Sequence, residues 1–207
     1  MRCFILVKPV IGLTGPTGAG KSTWSAAFQK LGGAVIDCDK IAREVTDHAE
    51  VRQALQKEFG ADILQNGTLN RRKLAMRAFA DADSVRRLNS VTHPAIRKII
   101  LQQLQQFSRD DTVKAIFLDA PLLFEGGLEQ FCTMTAAVLA PQELRLSRIL
   151  KRDGISKDEA LRRMASQHDD SYFRSHADFL LDGATLPEKV PSAAAKQLSV
   201  WLGEENL

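Results

Sequence analysis

Between an apolar stretch at residues 10–14 and a segment of helical period lies Gly15-Pro16-Thr17-Gly18-Ala19-Gly20-Lys21-Ser22, which satisfies G-x-x-x-x-G-K-[ST] at every fixed position. No other feature narrows the fold as much. Glycines in such a loop permit positive φ and close backbone approach, so successive N–H groups surround an anion at the positive end of the following helix. Strand, loop and helix must occur in that order for the motif to work, and here they do. The chain is therefore expected to be α/β, built around a phosphate-cradling loop.

Given that loop, Lys21 is expected to reach the β- and γ-phosphates of a nucleotide and the Ser22 hydroxyl to hold Mg²⁺. The residues expected to bind ATP here are Gly15, Gly18, Ala19, Gly20, Lys21, Ser22 and Thr23. Further continuous apolar runs at 34–36, 113–118, 134–140 and 179–181 read as strands buried on both faces, with helical segments between them. That alternation predicts a three-layer P-loop fold with a five-stranded parallel sheet. The stretch between the second and third runs is far longer than one crossover helix requires. It holds helical segments at 51–59, 71–80, 84–91 and 95–107, with Asn66-Gly67 as a turn. Either these form an inserted helical subdomain or they are extra helices covering the sheet.

At 207 residues, 44% apolar and 26% charged, the chain fits one globular domain with no low-complexity segment. A net charge of +3 is too small to argue for nucleic acid. The three cysteines, Cys3, Cys38 and Cys132, form no CxxC pair, which speaks against a disulfide framework or a zinc site and for a reducing compartment. The apolar start is broken by Lys8 and Pro9, too short to span a bilayer and a poor signal peptide, so a cytoplasmic protein with no membrane partner is expected.

A P-loop alone does not separate a kinase from a switch or a motor. Asp37-Cys38-Asp39 follows the second strand, and a carboxylate there could accept a proton from an attacking hydroxyl. Asp39 is the catalytic choice, although it could equally cap a helix beginning at Lys40. Asp119 ends the third strand, either orienting Mg²⁺ or serving as a turn residue. After the fourth strand, Arg145, Arg148 and Arg152 recur at spacings of three and four. A capping-box start at Ser156 to Glu159 then opens a second helix carrying Arg162 and Arg163. Two arginine-rich helices suit a lid over ATP, and a solvated basic face would read the same way. The guanine-reading pattern N/T-K-x-D of a nucleotide switch is absent.

An ordered set of segments extends the comparison over nearly the whole chain. It runs from Ile11-Gly12-Leu13-Thr14-Gly15 through Val35-Ile36-Asp37-Cys38-Asp39, Gly67-Thr68-Leu69-Asn70-Arg71 and Thr92-His93-Pro94-Ala95-Ile96-Arg97. It continues with Leu118-Asp119-Ala120-Pro121-Leu122-Leu123-Phe124-Glu125, Arg163-Met164-Ala165-Ser166-Gln167 and Ala177-Asp178-Phe179-Leu180-Leu181-Asp182. In these segments the sequence resembles the dephospho-CoA kinase family.

That resemblance implies transfer of the γ-phosphoryl of ATP, with Mg²⁺, to the ribose 3′-hydroxyl of dephospho-CoA. It makes Asp39 the general base, working with Lys21, Arg148 and Arg152, and adds Arg163 to the ATP-binding residues. His93, Pro94, Leu122 and Leu123 fall on the acceptor side. It implies one P-loop kinase domain over 1–207, with a core at about 1–39, 108–144 and 173–207. A helical acceptor-binding insertion spans about 40–107 and a lid about 145–172. Three departures stand out: Pro16 removes a backbone donor from the loop, Gly183 replaces an Asn expected near adenine, and residues 1–9 make a longer start. The rival reading within enzymes is another small P-loop nucleoside or nucleotide kinase.

Overall fold

β1 (Val10–Thr14) lies at the centre of a five-stranded parallel sheet of order β2-β5-β1-β6-β7, where β2 is Gly33–Asp37, β5 Ala115–Asp119, β6 Met134–Leu139 and β7 Phe179–Asp182. This computed structural model describes residues 8–65 and 67–204. Asn66, half of the expected turn, lies outside the described residues, as do 1–7 with Cys3 and most of the long start, and 205–207. The register sets Leu13 beside Asp119 and Thr14 beside Ala137, and Leu139 beside Asp182. The carboxyl ends of four neighbouring strands are thus level.

Alternation along β1 explains the layers. Ile11 and Leu13 point to a core shared with Phe117, Val138 and Leu181, covered by α1 (Lys21–Lys30) and α9 (Val190–Leu202). There Phe28 stacks on Phe117 with centroids 4.5 Å apart, flanked by Trp24 and Trp201. Ala137, Leu139 and Phe173 pack on the opposite face, bringing in α8 (Asp170–His176). Burial of both faces is why the inner strands β1, β5 and β6 read as unbroken apolar runs. The third strand begins two residues later than its apolar run because a turn holds the chain. Val113 N donates to Asp110 O at 2.9 Å, and Thr112 bonds the Asp110 carboxylate.

Residues Asp37–Gln105 form a second compact unit. It contains α2 (Cys38–Val45), α3 (Ala49–Phe59), a short hairpin of β3 (Leu64–Gln65) and β4 (Thr68–Leu69), α4 (Arg71–Ala78) and most of α5 (Ala82–Ser108). It has an apolar core of its own, including Val45, Leu55, Phe59, Ile63 and Leu74.

The helices expected at 84–91 and 95–107 are one helix, with Pro94 inside it. An interior proline removes a donor and crowds the carbonyl four residues back, at about 3 kcal/mol. Leu88, Val91, Ala95, Ile96 and Ile99 flank it and pack on the unit's core, and partial burial of five such side chains outweighs that cost at about 1.5–3 kcal/mol per full burial. The hydroxyls of Ser90 and Thr92 take up the Arg87 and Leu88 carbonyls at 2.8 and 2.9 Å, a pattern that bends helices and makes room for the ring. Among the described residues, no helix is long and apolar enough to cross a membrane.

Candidate active site

The P-loop leaves β1 at Thr14 and enters α1 through Gly20, whose φ of +100° makes it a left-handed N-cap without a side chain. No capping side chain therefore competes for the amide donors of the first turn, which face outward at the positive end of the helix. Ser22 and Thr23 are exposed in that turn. Pro16, the position without a donor, contributes its carbonyl instead, accepting from Ala19 N at 3.1 Å.

Neighbouring parallel strands bring the loop and the third-strand carboxylate together. Ala120 N donates to Leu13 O at 3.0 Å, and Thr14 Oγ1 donates to Pro121 O at 3.1 Å, which fixes the chain after β5 beside the start of the loop. In this frame Lys21 Nζ and Asp119 Oδ1 form an ion pair, both side chains mostly buried. Asp119 is thus more than a turn residue. Its oxygen and the Ser22 hydroxyl are hard donors of the kind that suit Mg²⁺. Among the described residues no group of three or more His, Cys, Asp or Glu is arranged to hold a metal, so such an ion would take much of its shell from phosphate and water.

The helices α6 (Gln142–Asp153) and α7 (Lys157–Ala165) share a small core of Ile149, Ala160 and Met164 and join through Gly154, which adopts the left-handed conformation. Ser156 caps α7 by accepting from Glu159 N at 3.2 Å. The three arginines spaced along α6 meet different partners. Arg145 is buried, with Nε on Thr17 O at 3.1 Å and Nη1 on Asp170 at 3.3 Å. Loss of water pulls its guanidinium below the ordinary value, opposed by Asp170. Arg148 Nη1 donates to the carbonyls of Gly18 and Ala19, at 3.2 Å each. Arg152 and Arg163 both bond Asp153.

Two partners of the loop escaped the sequence reading. Gln167 Oε1 accepts from Thr17 N at 2.9 Å, which ties the residue after α7 to the loop. Gly183, noted only for the side chain it lacks, donates its N–H to Leu139 O at 2.7 Å. A Cβ built on it would run into the Ala19 carbonyl oxygen and lie 2.9 Å from Leu139 O, so no side chain fits beside the loop. Gly183→Ala should displace Ala19 and lower kcat/KM for ATP about 100-fold, the scale of an ångström's misplacement. Steady-state kinetics within about threefold of the parent would show that the loop yields freely.

The remaining acceptor-side candidates divide. Leu122 is exposed, but Leu123 is fully buried, its methyls filling the space over Gly12, so it has no surface to offer a ligand and is corrected to a core residue. In the helical unit α2 starts at Cys38, and its cap is Asp37, which accepts from Lys40 N at 2.8 Å. Asp39 is therefore not the cap. Its side chain is exposed in the first turn of α2 and makes no hydrogen bond or ion pair among the described residues. His93 and Pro94 lie mid-helix on α5, where burial first, and Arg97 second, push the His93 pKa below its ordinary value.

The family model for dephospho-CoA kinase matches residues 9–188. The dephospho-CoA kinase of Bacillus licheniformis is 35% identical over 203 residues, which cover 95% of this chain and 98% of that protein. Among solved structures, one from Thermus thermophilus superposes with a TM-score of 0.81 at 32% identity, covering 97% of this chain and 99% of the other. The dephospho-CoA kinase from Campylobacter jejuni gives a TM-score of 0.60 at 26% identity, covering 93% and 97% of the two chains.

Proposed function

This chain belongs to the dephospho-CoA kinase family, and from that membership we propose that it phosphorylates the ribose 3′-hydroxyl of dephospho-CoA with ATP, giving CoA and ADP. The observation that carries the phosphoryl-transfer part is the meeting of Lys21 and Asp119 beneath a P-loop whose first-turn amides have no competing cap.

The P-loop amides hold the β- and γ-phosphates, and Lys21 moves from Asp119 to the phosphates as they arrive. Mg²⁺, held by Ser22 and Asp119, would supply charge neutralisation at the phosphate oxygens. Arg148 braces the loop from its carbonyl side, while Arg152 and Arg163 supply cations from the lid at 145–172. Asp39 accepts the proton of the 3′-hydroxyl. Its freedom from a capping role supports this assignment. Acceptor binding belongs to the helical unit, with His93, Pro94 and exposed Leu122 on the acceptor side. We assign the reaction to the cytoplasm, in keeping with three cysteines that form no CxxC pair. No nucleic acid or membrane takes part.

Coupled ADP release with ATP and Mg²⁺ tests the reading against dephospho-CoA, adenosine, AMP and no acceptor. ADP release is expected to require dephospho-CoA and to yield CoA. Equal release with another acceptor would overturn the named substrate, and release independent of any acceptor would leave only an ATPase.

A further inference from the structure

α6 ends on an aspartate, at the negative end of its helix dipole, where a carboxylate is disfavoured by its own helix. Two guanidinium groups compensate for it. Arg152 donates through Nε to Oδ1 at 2.7 Å and through Nη2 to Oδ2 at 2.9 Å, and Arg163 Nη1 reaches Oδ2 at 2.6 Å. The Asp153 side chain is 19% exposed, against 60% for Arg152 and 44% for Arg163, so the carboxylate sits inside a clamp of two arginines. Neighbouring residues on a helix point in divergent directions, so Arg152 has to fold back along the helix end to meet residue 153. Both arginines hold the Asp153 carboxyl below the usual carboxylate range, the hydrogen bonds of Arg152 foremost.

A bidentate pair of N–H groups on one guanidinium edge is also the way arginine grips a phosphate. Carboxylate and phosphate cannot use the Nε and Nη2 edge of Arg152 together. We propose that Asp153 is a built-in stand-in for phosphate, occupying Arg152 and Arg163 in the nucleotide-free enzyme and surrendering them when the polyphosphate of ATP arrives. This rests on the reading of these arginines as phosphate ligands. Asp153 thereby tempers ATP affinity and helps ADP to leave, since the carboxylate reclaims its arginines as the product departs. Gly154, left-handed and with open space where a side chain would lie, follows at once and leaves the junction between α6 and α7 unobstructed.

The test compares the parent with Asp153→Asn and Asp153→Glu by titration calorimetry with ATP, ADP and inorganic tripolyphosphate, with thermal midpoints recorded. Asp153→Asn should bind ATP and tripolyphosphate about 3- to 10-fold more tightly, the range expected when two partly exposed ion pairs no longer compete. KM for ATP should fall with it, and Asp153→Glu, which keeps the charge, should remain near the parent. Because the helix dipole disfavours Asp153, the Asn variant should not melt earlier. Unchanged or weaker binding by Asp153→Asn would overturn the proposal, the weaker case marking Asp153 as an orienting residue. A parent that binds tripolyphosphate but not ATP would sink the kinase reading while the Asp153 comparison stays readable, and one that binds neither would overturn both.

Discussion

Asp39→Asn should bind ATP with near-parental affinity and turn over dephospho-CoA about 10²- to 10⁴-fold more slowly, the range that a positioned general base supplies. The substitution keeps the size and shape of the side chain and removes only its ability to take a proton. It should not disturb folding, because Asp37 caps α2 and Asp39 is exposed without a bonding partner among the described residues. Calorimetric ATP binding and kcat, measured on the same preparation, separate the two roles. Turnover within about threefold of the parent would remove Asp39 from the chemistry. Loss of ATP binding together with a lowered thermal midpoint would make it structural.

The second large effect is expected at Lys21. Lys21→Met should lower kcat/KM by about 10²- to 10³-fold, the loss seen when one preorganised donor to a developing anion is deleted. In the nucleotide-free protein the same substitution leaves the mostly buried Asp119 without its cation. Breaking one side of such a pair destabilises it, so some of the loss could come through folding. The double variant Lys21→Met/Asp119→Asn, which also lacks the proposed Mg²⁺ ligand, is read for stability alone and should regain the thermal midpoint, while Lys21→Met assayed well below its own midpoint isolates the kinetic loss. Turnover near the parent's in that assay would show that Lys21 matters only as the partner of Asp119.

The P-loop, the order of strands and helices and the carboxylates at strand ends were legible in the sequence, because each follows from a local rule. A strand buried on both faces must be continuously apolar, as β1, β5 and β6 are, and the edge strand β7, though less buried, carries the same apolar run. The Gly-rich loop announces its conformation through residue type. What the sequence concealed depends on tertiary approach. Pro94 looked like a helix boundary, and only the packing of its apolar flanks reveals α5 as one helix. The two-residue strands of the 64–69 hairpin are too short to leave a periodic signal. Leu123 sits in a motif that suggests acceptor contact, yet the missing side chain of Gly12 draws it inward. The arginines were visible as a spacing, but whether each meets a carbonyl, a carboxylate or a phosphate depends on the position of Asp153 and the loop carbonyls. Gln167 follows the last turn of α7, and nothing in the residues around it points to Thr17 N.

On one side of Ala19 the wall is the main chain of Gly183, which admits no side chain. An inhibitor anchored on these backbone atoms would face a surface with little room for mutational escape. The substitutions that would dislodge it at Gly20 or Gly183 also strain or crowd the loop the enzyme needs for its nucleotide, so resistance there would come at the expense of activity.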